Sequence, residues 1–494
     1  MRKITAILLV VLLSTIPGFA LAQEPEGQPG ASGLDDTYYP ELGNGGYDVL
    51  HYTLDLTVDV KANEVVGEAV IEAEATQNLS TFNLDFLGFE ISALTVNGAP
   101  AGFTRSGREL VITPAATLPE GEPFTVTVSY TGSPDPEAAG AIPFLTGWNH
   151  FGDGIFVASE PSGAATWYPV NDHPLDKAAY LFRVTVPEPY TVAANGLLIE
   201  TTENADGTTT YVWDANDPMA SYLATVNIAE FEMETDEGPG GLPIRNFFPP
   251  KIAEEGSRDF SDAPEMLEFF SSIFAPYPFE AYGVVVVDQP LGFALETQTL
   301  VLYGSDAVTG RGDIEITAAH ELVHQWFGNS VSLARWEDIW LNEGFATYGS
   351  WLWVEHTDGP EALDEQVRST YALVSGQAPE FEMYTDSQLD ALLERFFPPP
   401  GSPPADNLFN GGVYLRGGLT LHALRLQVGD EAFFEILRSY YEQYQNSNAT
   451  IEDFIAVAET VSGQDLEAFF DGWLYDTQVP GIPEMELTAR QSAE

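Results

Sequence analysis

Cysteine is absent from all 494 residues. Its absence excludes disulfides and lipid attachment through an N-terminal cysteine, so apolar cores and bound metal must hold the fold. Basic residues are scarce: 18 Lys and Arg stand against 75 Asp and Glu, giving a formal net charge of −57. Such a surface repels nucleic acid and anionic membranes, which removes both as partners. It fits either solubility in a salty medium, where mobile ions screen self-repulsion, or an acidic cleft that prefers cationic peptides. Long apolar runs are missing too. The run Ile7–Leu13 is too short to span a bilayer and no later segment is longer, so no stable membrane insertion is expected. With Arg2 and Lys3 before it and Pro17-Gly18 and Ala20-Leu21-Ala22 after it, residues 1–22 read as a secretory signal peptide cleaved before Gln23. The expected destination is the periplasm, the cell surface or the medium.

What is present divides into two patterns. Residues 23–46 are rich in Gly, Pro and Glu without apolar periodicity, and are expected to form a disordered tether. Tyr52, Leu54, Leu56, Val58 and Val60 then alternate with polar residues, the period of a half-buried strand. The same alternation returns at Glu68–Ala75 and Phe124–Tyr130, with turn signals at Asn97-Gly98 and Ser106-Gly107. Residues 47–235 are therefore expected to be an all-β domain. After Pro239-Gly240-Gly241 helical periods take over, at Asp262–Phe274, Ile314–Phe327, from Leu341 onward and at Leu415–Val428, beside an apolar strand at Gly283–Asp288. Thr450 and Asp453 form a capping box for a helix closing at Ser462-Gly463. Residues 240–480 thus read as a mainly helical α+β domain, and 481–494 as a tail.

One stretch carries chemistry. His320 and His324 stand four apart, so on a helix they share a face and can grip one metal ion. Glu321 lies between them, where a general base for water belongs. Glu343 follows His324 after eighteen residues and can supply a third ligand from a second helix. Two imidazoles and a carboxylate form the donor set of a catalytic zinc site, one ion per chain. Packing these groups in a core without metal would leave buried imidazoles beside unpaired charges, a costly arrangement. His51, His150, His173, His356 and His422 have no metal-ligand spacing and are assigned no chemistry, His173 being expected to order a turn.

His320–Asn329 (H-E-L-V-H-Q-W-F-G-N) and Trp336–Ala346 (W-E-D-I-W-L-N-E-G-F-A) resemble the signature of the gluzincin zinc aminopeptidases, the family of aminopeptidase N and leukotriene hydrolase. The resemblance extends to Trp167–Lys177, Val192–Gly196, Tyr414-Leu415-Arg416-Gly417 and Phe470–Pro480, nearly all of residues 47–480. It implies an N-terminal β-saddle domain, a thermolysin-like catalytic domain, and release of N-terminal residues from peptides with a free N-terminus. It also implies Tyr414 as the donor to the reaction's oxyanion. Phe293-Ala294-Leu295-Glu296-Thr297 occupies the place of the family's G-x-M-E-N strand. Glu296 is kept there as a holder of the substrate's α-ammonium, while Phe293 stands where the family has glycine. Glu160 fits the place of a second anchor from the β domain. The family's long C-terminal helical domain is expected to be absent, leaving a cleft open to longer peptides or closed by a dimer. Within the same core the competing readings are a zinc endopeptidase and a peptide-binding relative without catalysis; the oligomeric state stays open.

Overall fold

A computed structural model describes residues 26–138 and 145–490. The signal-peptide reading of residues 1–22 falls outside them. The β-rich half is built on an eight-stranded sheet. Its central strands run in the order Thr208–Ala220, Lys177–Pro187, Tyr47–Asp59, Glu64–Ala75 and Pro123–Gly132. The pairs are antiparallel except Lys177–Pro187 against Tyr47–Asp59. Alternation fixes which face is buried: Tyr52, Leu54, Leu56 and Val58 point inward. Upstream of them the inward set has the other parity, Tyr47 and Val49. A register shift between Val49 and His51 absorbs the extra residue, as a β-bulge does.

The second half opens on a five-stranded sheet ordered Glu232–Glu237, Pro243–Phe248, Tyr282–Val287, Val301–Gly304, Ala294–Leu295. The all-buried strand Tyr282–Val287 lies between two parallel neighbours, as its unbroken apolar run requires. Ala294–Leu295 is the edge strand, antiparallel to Val301–Gly304. The helices Ala263–Ile273, Glu315–Val323, Trp340–Asp358, Pro360–Val374, Gly417–Val428, Asp430–Tyr444 and Ile451–Ser462 pack against this sheet and one another. The last begins on the predicted capping box of Thr450 and Asp453 and ends on Gly463 in the left-handed conformation.

Several boundaries differ from the sequence reading. Pro239-Gly240-Gly241 is the turn of a hairpin joining Glu232–Glu237 to Pro243–Phe248, so residues 232–235 belong to the second half's sheet. Glycine-rich turns mark hairpins as readily as linkers. The regular part of the expected Ile314–Phe327 helix stops at Val323, and His324–Phe327 continue as a tighter turn in which Gln325 and Trp326 bond back three residues. Residues 26–46 are not a free tether: Gln28–Pro29 pairs with Leu79–Asp85, and Asp36, Leu42 and Asn44 are buried. The C-terminal segment to residue 490 is packed as well. Ile482 and Met485 are buried, and Arg368 donates to the Met485 carbonyl at 2.8 Å.

Candidate active site

His320 and His324 project from one face of the helix Glu315–Val323, His324 being its C-cap, with their Nε2 atoms 3.1 Å apart. Glu343 sits in the first turn of the helix Trp340–Asp358. Its Oε2 lies 3.3 Å from His320 Nε2 and 3.5 Å from His324 Nε2. Glycine sets how closely these helices meet: a Cβ on Gly349 would stand 2.5 Å from Val323 Cγ2. Gly344 does the same on the opposite side, where its Cβ would stand 3.0 Å from Gly417 Cα. That contact seats Glu343 beside the segment carrying Tyr414. His324 Nδ1 lies 3.2 Å from the Phe327 carbonyl, a geometry in which Nδ1–H donates and the Nε2 lone pair faces the pocket.

Tyr414 sits in a π-helical turn, Gly412–Arg416, and its ring stacks on His320 at 5.9 Å and 22°. Glu321, one residue beyond His320, is 6% exposed. Glu296 follows the edge strand, and Glu160 follows the buried strand Gly154–Ala158 of the β half. The structure brings all seven sequence-derived residues to one pocket. Three overlapping donor groups fill it, His320/His324/Glu343, Glu296/Glu321/His324 and Glu160/Glu296/Glu343, each with its donor atoms within 4.8 Å of one another.

The pocket is short of positive charge. Burial pushes the carboxyls of Glu160, Glu296 and Glu321 up, and their negative neighbours add to the effect. Burial would lower His324, yet the carboxylates of Glu296 and Glu343 raise it; His320, where burial prevails, is lowered. Glu343 moves down despite its burial because both histidines face it. Oε1 of Glu160 and Oε1 of Glu296 are buried without a hydrogen-bond donor among the described residues. A divalent cation fits this arrangement: two imidazole nitrogens and a carboxylate converge on one point inside an excess of buried negative charge.

The supports of Glu296 were not singled out from sequence. Its carbonyl accepts from Asn329 Nδ2 at 2.7 Å and Gln325 Nε2 at 3.2 Å. Lys177, from the β half, donates to the carbonyls of Asn329 and Ser330 at 2.8 and 2.9 Å. Beyond Glu296 the chain passes through Thr299, a β-branched residue at φ +65°. Four bonds hold it: Gly196 N–H to its Oγ1 (2.8 Å), Arg245 Nη2 to its carbonyl (2.8 Å) and its Oγ1 (3.3 Å), and its own N–H to Gln325 Oε1 (3.0 Å). The signal lay in the segments matched for resemblance: Val192–Gly196 ends on a residue that bonds Thr299, and Trp167–Lys177 ends on one that holds the backbone of Asn329, whose side chain bonds the Glu296 carbonyl. His173 orders its turn as expected: its Nδ1 accepts from Leu175 N–H at 3.1 Å. Among the described residues, the remaining histidines enter no donor group.

Comparison with known proteins gives the same result. A family model for the peptidase family M1 domain matches residues 259–473, and one for the peptidase M1 N-terminal domain matches 49–223. Aminopeptidase M1-B of Oryza sativa subsp. japonica is 26% identical over 464 residues, covering 88% of this chain and 50% of the relative. Glutamyl aminopeptidase of Homo sapiens is 26% identical over 338 residues, covering 66% of this chain and 34% of the relative. The chain thus spans about half, or less, of the length of these curated relatives. Two crystal structures of an M1 zinc metallopeptidase from Deinococcus radiodurans match over nearly their whole length. A mutant bound to a Tyr-Ser-Ala substrate is 30% identical with TM-score 0.80, covering 92% of this chain and 100% of that one. The other is 30% identical with TM-score 0.78, covering 91% and 98%. This chain belongs to peptidase family M1, the zinc metallopeptidases with a β-rich N-terminal domain and a helical catalytic domain.

Proposed function

We propose that this chain is an aminopeptidase that releases the first residue of peptides with a free α-ammonium. One observation carries the reading: Glu160 and Glu296, from different halves of the molecule, each hold a buried carboxylate oxygen with no hydrogen-bond partner among the described residues, and their carboxylates lie within 4.8 Å of each other and of Glu343. An ammonium offers three N–H donors, and two carboxylates fix its position better than one. The peptide backbone would extend along the outer edge of Ala294–Leu295, which pairs with no strand among the described residues.

His320, His324 and Glu343 would hold the zinc, which when bound supplies Lewis acidity for the scissile carbonyl and the attacking water. Glu321 takes a proton from that water and delivers it to the departing amine, so its carboxylate is restored at the end of the cycle. Burial, reinforced by Glu343, Glu160, Glu296 and Glu321, holds the Tyr414 phenol above its ordinary range. Its hydroxyl therefore stays protonated and donates to the oxyanion as the carbonyl becomes tetrahedral, a contact that contributes about 3 kcal/mol in comparable sites.

The test compares a tripeptide with its N-acetylated form. Acetylation removes the cation that Glu160 and Glu296 would hold, so hydrolysis should fall at least about 1000-fold, in the range of losing a buried charge pair. Equal rates on both forms would contradict the reading and point to an endopeptidase. On the strength of residues 1–22 we also propose export. Cell fractionation that finds the enzyme only in the cytoplasm, with those residues still attached, would refute it.

A further inference from the structure

The segment 26–46 reads as loose in sequence, yet it lies across both halves of the molecule. Asn44 anchors it to the β half: its N–H donates to Asn171 Oδ1 at 2.6 Å, its carbonyl accepts from Asn171 Nδ2 at 3.0 Å, and its Nδ2 reaches Asp85 at 3.2 Å. Gly43, at φ +70°, passes so close to His173 that a Cβ would stand 2.6 Å from the histidine's own. Asp36 is the far anchor. Its Oδ1 accepts from the N–H groups of Tyr38 and Tyr39 at 2.8 and 2.9 Å. Its Oδ2 accepts from Trp336 N–H at 2.9 Å and faces His173 Nε2 at 3.3 Å. The Asp36 carboxylate therefore joins arm, β half and catalytic half at one point.

From that anchor two phenols reach one loop. Tyr38 donates to the Pro403 carbonyl at 2.6 Å and Tyr39 to the Ala405 carbonyl at 3.2 Å, while the Tyr39 ring packs edge-on against Trp336 at 6.1 Å. The loop leads straight to Tyr414 through a continuous series of bonds. Asn407 N–H donates to Pro404 O (2.9 Å), Asn410 Nδ2 to Asn407 O (2.8 Å), and Gly412 N–H to Asn410 Oδ1 (2.8 Å), where the π-helical turn begins. Burial, with the charges of Asp36 and Glu160 nearby, holds the Tyr39 phenol above its ordinary range, so it remains a donor.

We propose that Tyr38 and Tyr39 are positioning residues for Tyr414: the arm, anchored at Asp36, fixes the loop from Pro403 to Gly412 and thereby the placement of the Tyr414 hydroxyl. This inference rests on the donor role given to Tyr414 above. A loop rich in proline and glycine has many states to choose from, and two phenol–carbonyl bonds from a rigidly anchored strap select one. Bond continuity alone does not establish coupling, so the test measures it.

The experiment is a double-mutant cycle on the full chain with an aminoacyl-anilide substrate. The arm variant is Tyr38→Phe with Tyr39→Phe, which removes two hydroxyls and keeps both rings. The second perturbation is Tyr414→Phe. In the otherwise unaltered enzyme the arm variant should lower kcat about tenfold with KM changed less than about twofold, since the affected contact forms only in the transition state. In the Tyr414→Phe background it should change kcat less than about twofold, because the group it positions is gone. A merely structural strap would move the melting temperature and give the same factor in both backgrounds; that outcome overturns the inference, as does an arm variant with full turnover. Full turnover by Tyr414→Phe itself overturns both the inference and the role of Tyr414, whereas a large Tyr414→Phe effect with additive arm effects overturns the inference alone.

Discussion

Asp36→Asn isolates the most concentrated polar contact between the arm and the two halves. The substitution keeps the side chain's volume but leaves one oxygen where two served four donors. Whichever way the amide turns, two donors then face an N–H₂ group. The magnitude follows from the carboxyl's pKa. Burial alone would raise it, but the bonds from His173, Trp336, Tyr39 and Tyr38 bring it down from 3.8 to about 2. A shift of that size corresponds to about 2 kcal/mol of stabilisation carried by the ionised form. A folded-state pKa depressed below the unfolded one stabilises fully above the unfolded value, and that stabilisation is lost as pH falls through the folded one. Urea unfolding of both proteins at several pH values is the assay. The variant should be less stable by about 2 kcal/mol at pH 6, and the difference should shrink between about pH 4 and pH 2. No difference at pH 6, or one that persists undiminished at pH 2, would refute the assignment of Asp36 as an ionised junction.

Three further outcomes are expected. Glu321→Gln should bind zinc as before yet lose at least about 1000-fold in kcat, because the amide cannot carry the proton; near-normal turnover would contradict its role. Gly349→Ala drives a methyl into Val323, whose neighbour is His324, and should cost about 1–3 kcal/mol in urea unfolding and weaken zinc retention against a chelator. A stability unchanged from the parent would show that the helices do not meet as described. With a formal charge of −57, the protein should melt at higher temperature in molar salt than at low salt, by calorimetry; an unchanged melting temperature would argue against self-repulsion as a force on this fold.

What the sequence made legible was whatever repeats or is spaced by a rule. His320, Glu321, His324 and Glu343 announce themselves by helical spacing, Thr450 and Asp453 by the capping box, and Tyr52 to Val58 by alternation. Tyr414, Glu160 and Glu296 needed resemblance, since nothing local distinguishes one tyrosine or glutamate from many. The arm escaped notice because carboxylate-to-backbone and phenol-to-carbonyl bonds hold it, and these leave no apolar period. The Pro239–Gly241 hairpin reads as a boundary because a turn and a linker share one composition. The π-helical turn at Gly412–Arg416 was invisible as well. Its residues suit an ordinary helix, and the extra residue per turn shows only once Tyr414 is placed against His320.

The most direct measurement is zinc titration into chelator-stripped enzyme while aminoacyl-anilide hydrolysis is followed. Activity should be abolished by stripping and should rise linearly to a break at about one ion per chain, as a single catalytic site held by His320, His324 and Glu343 requires. Full activity in protein shown to be metal-free, or restoration that ignores His324→Ala, would contradict the account.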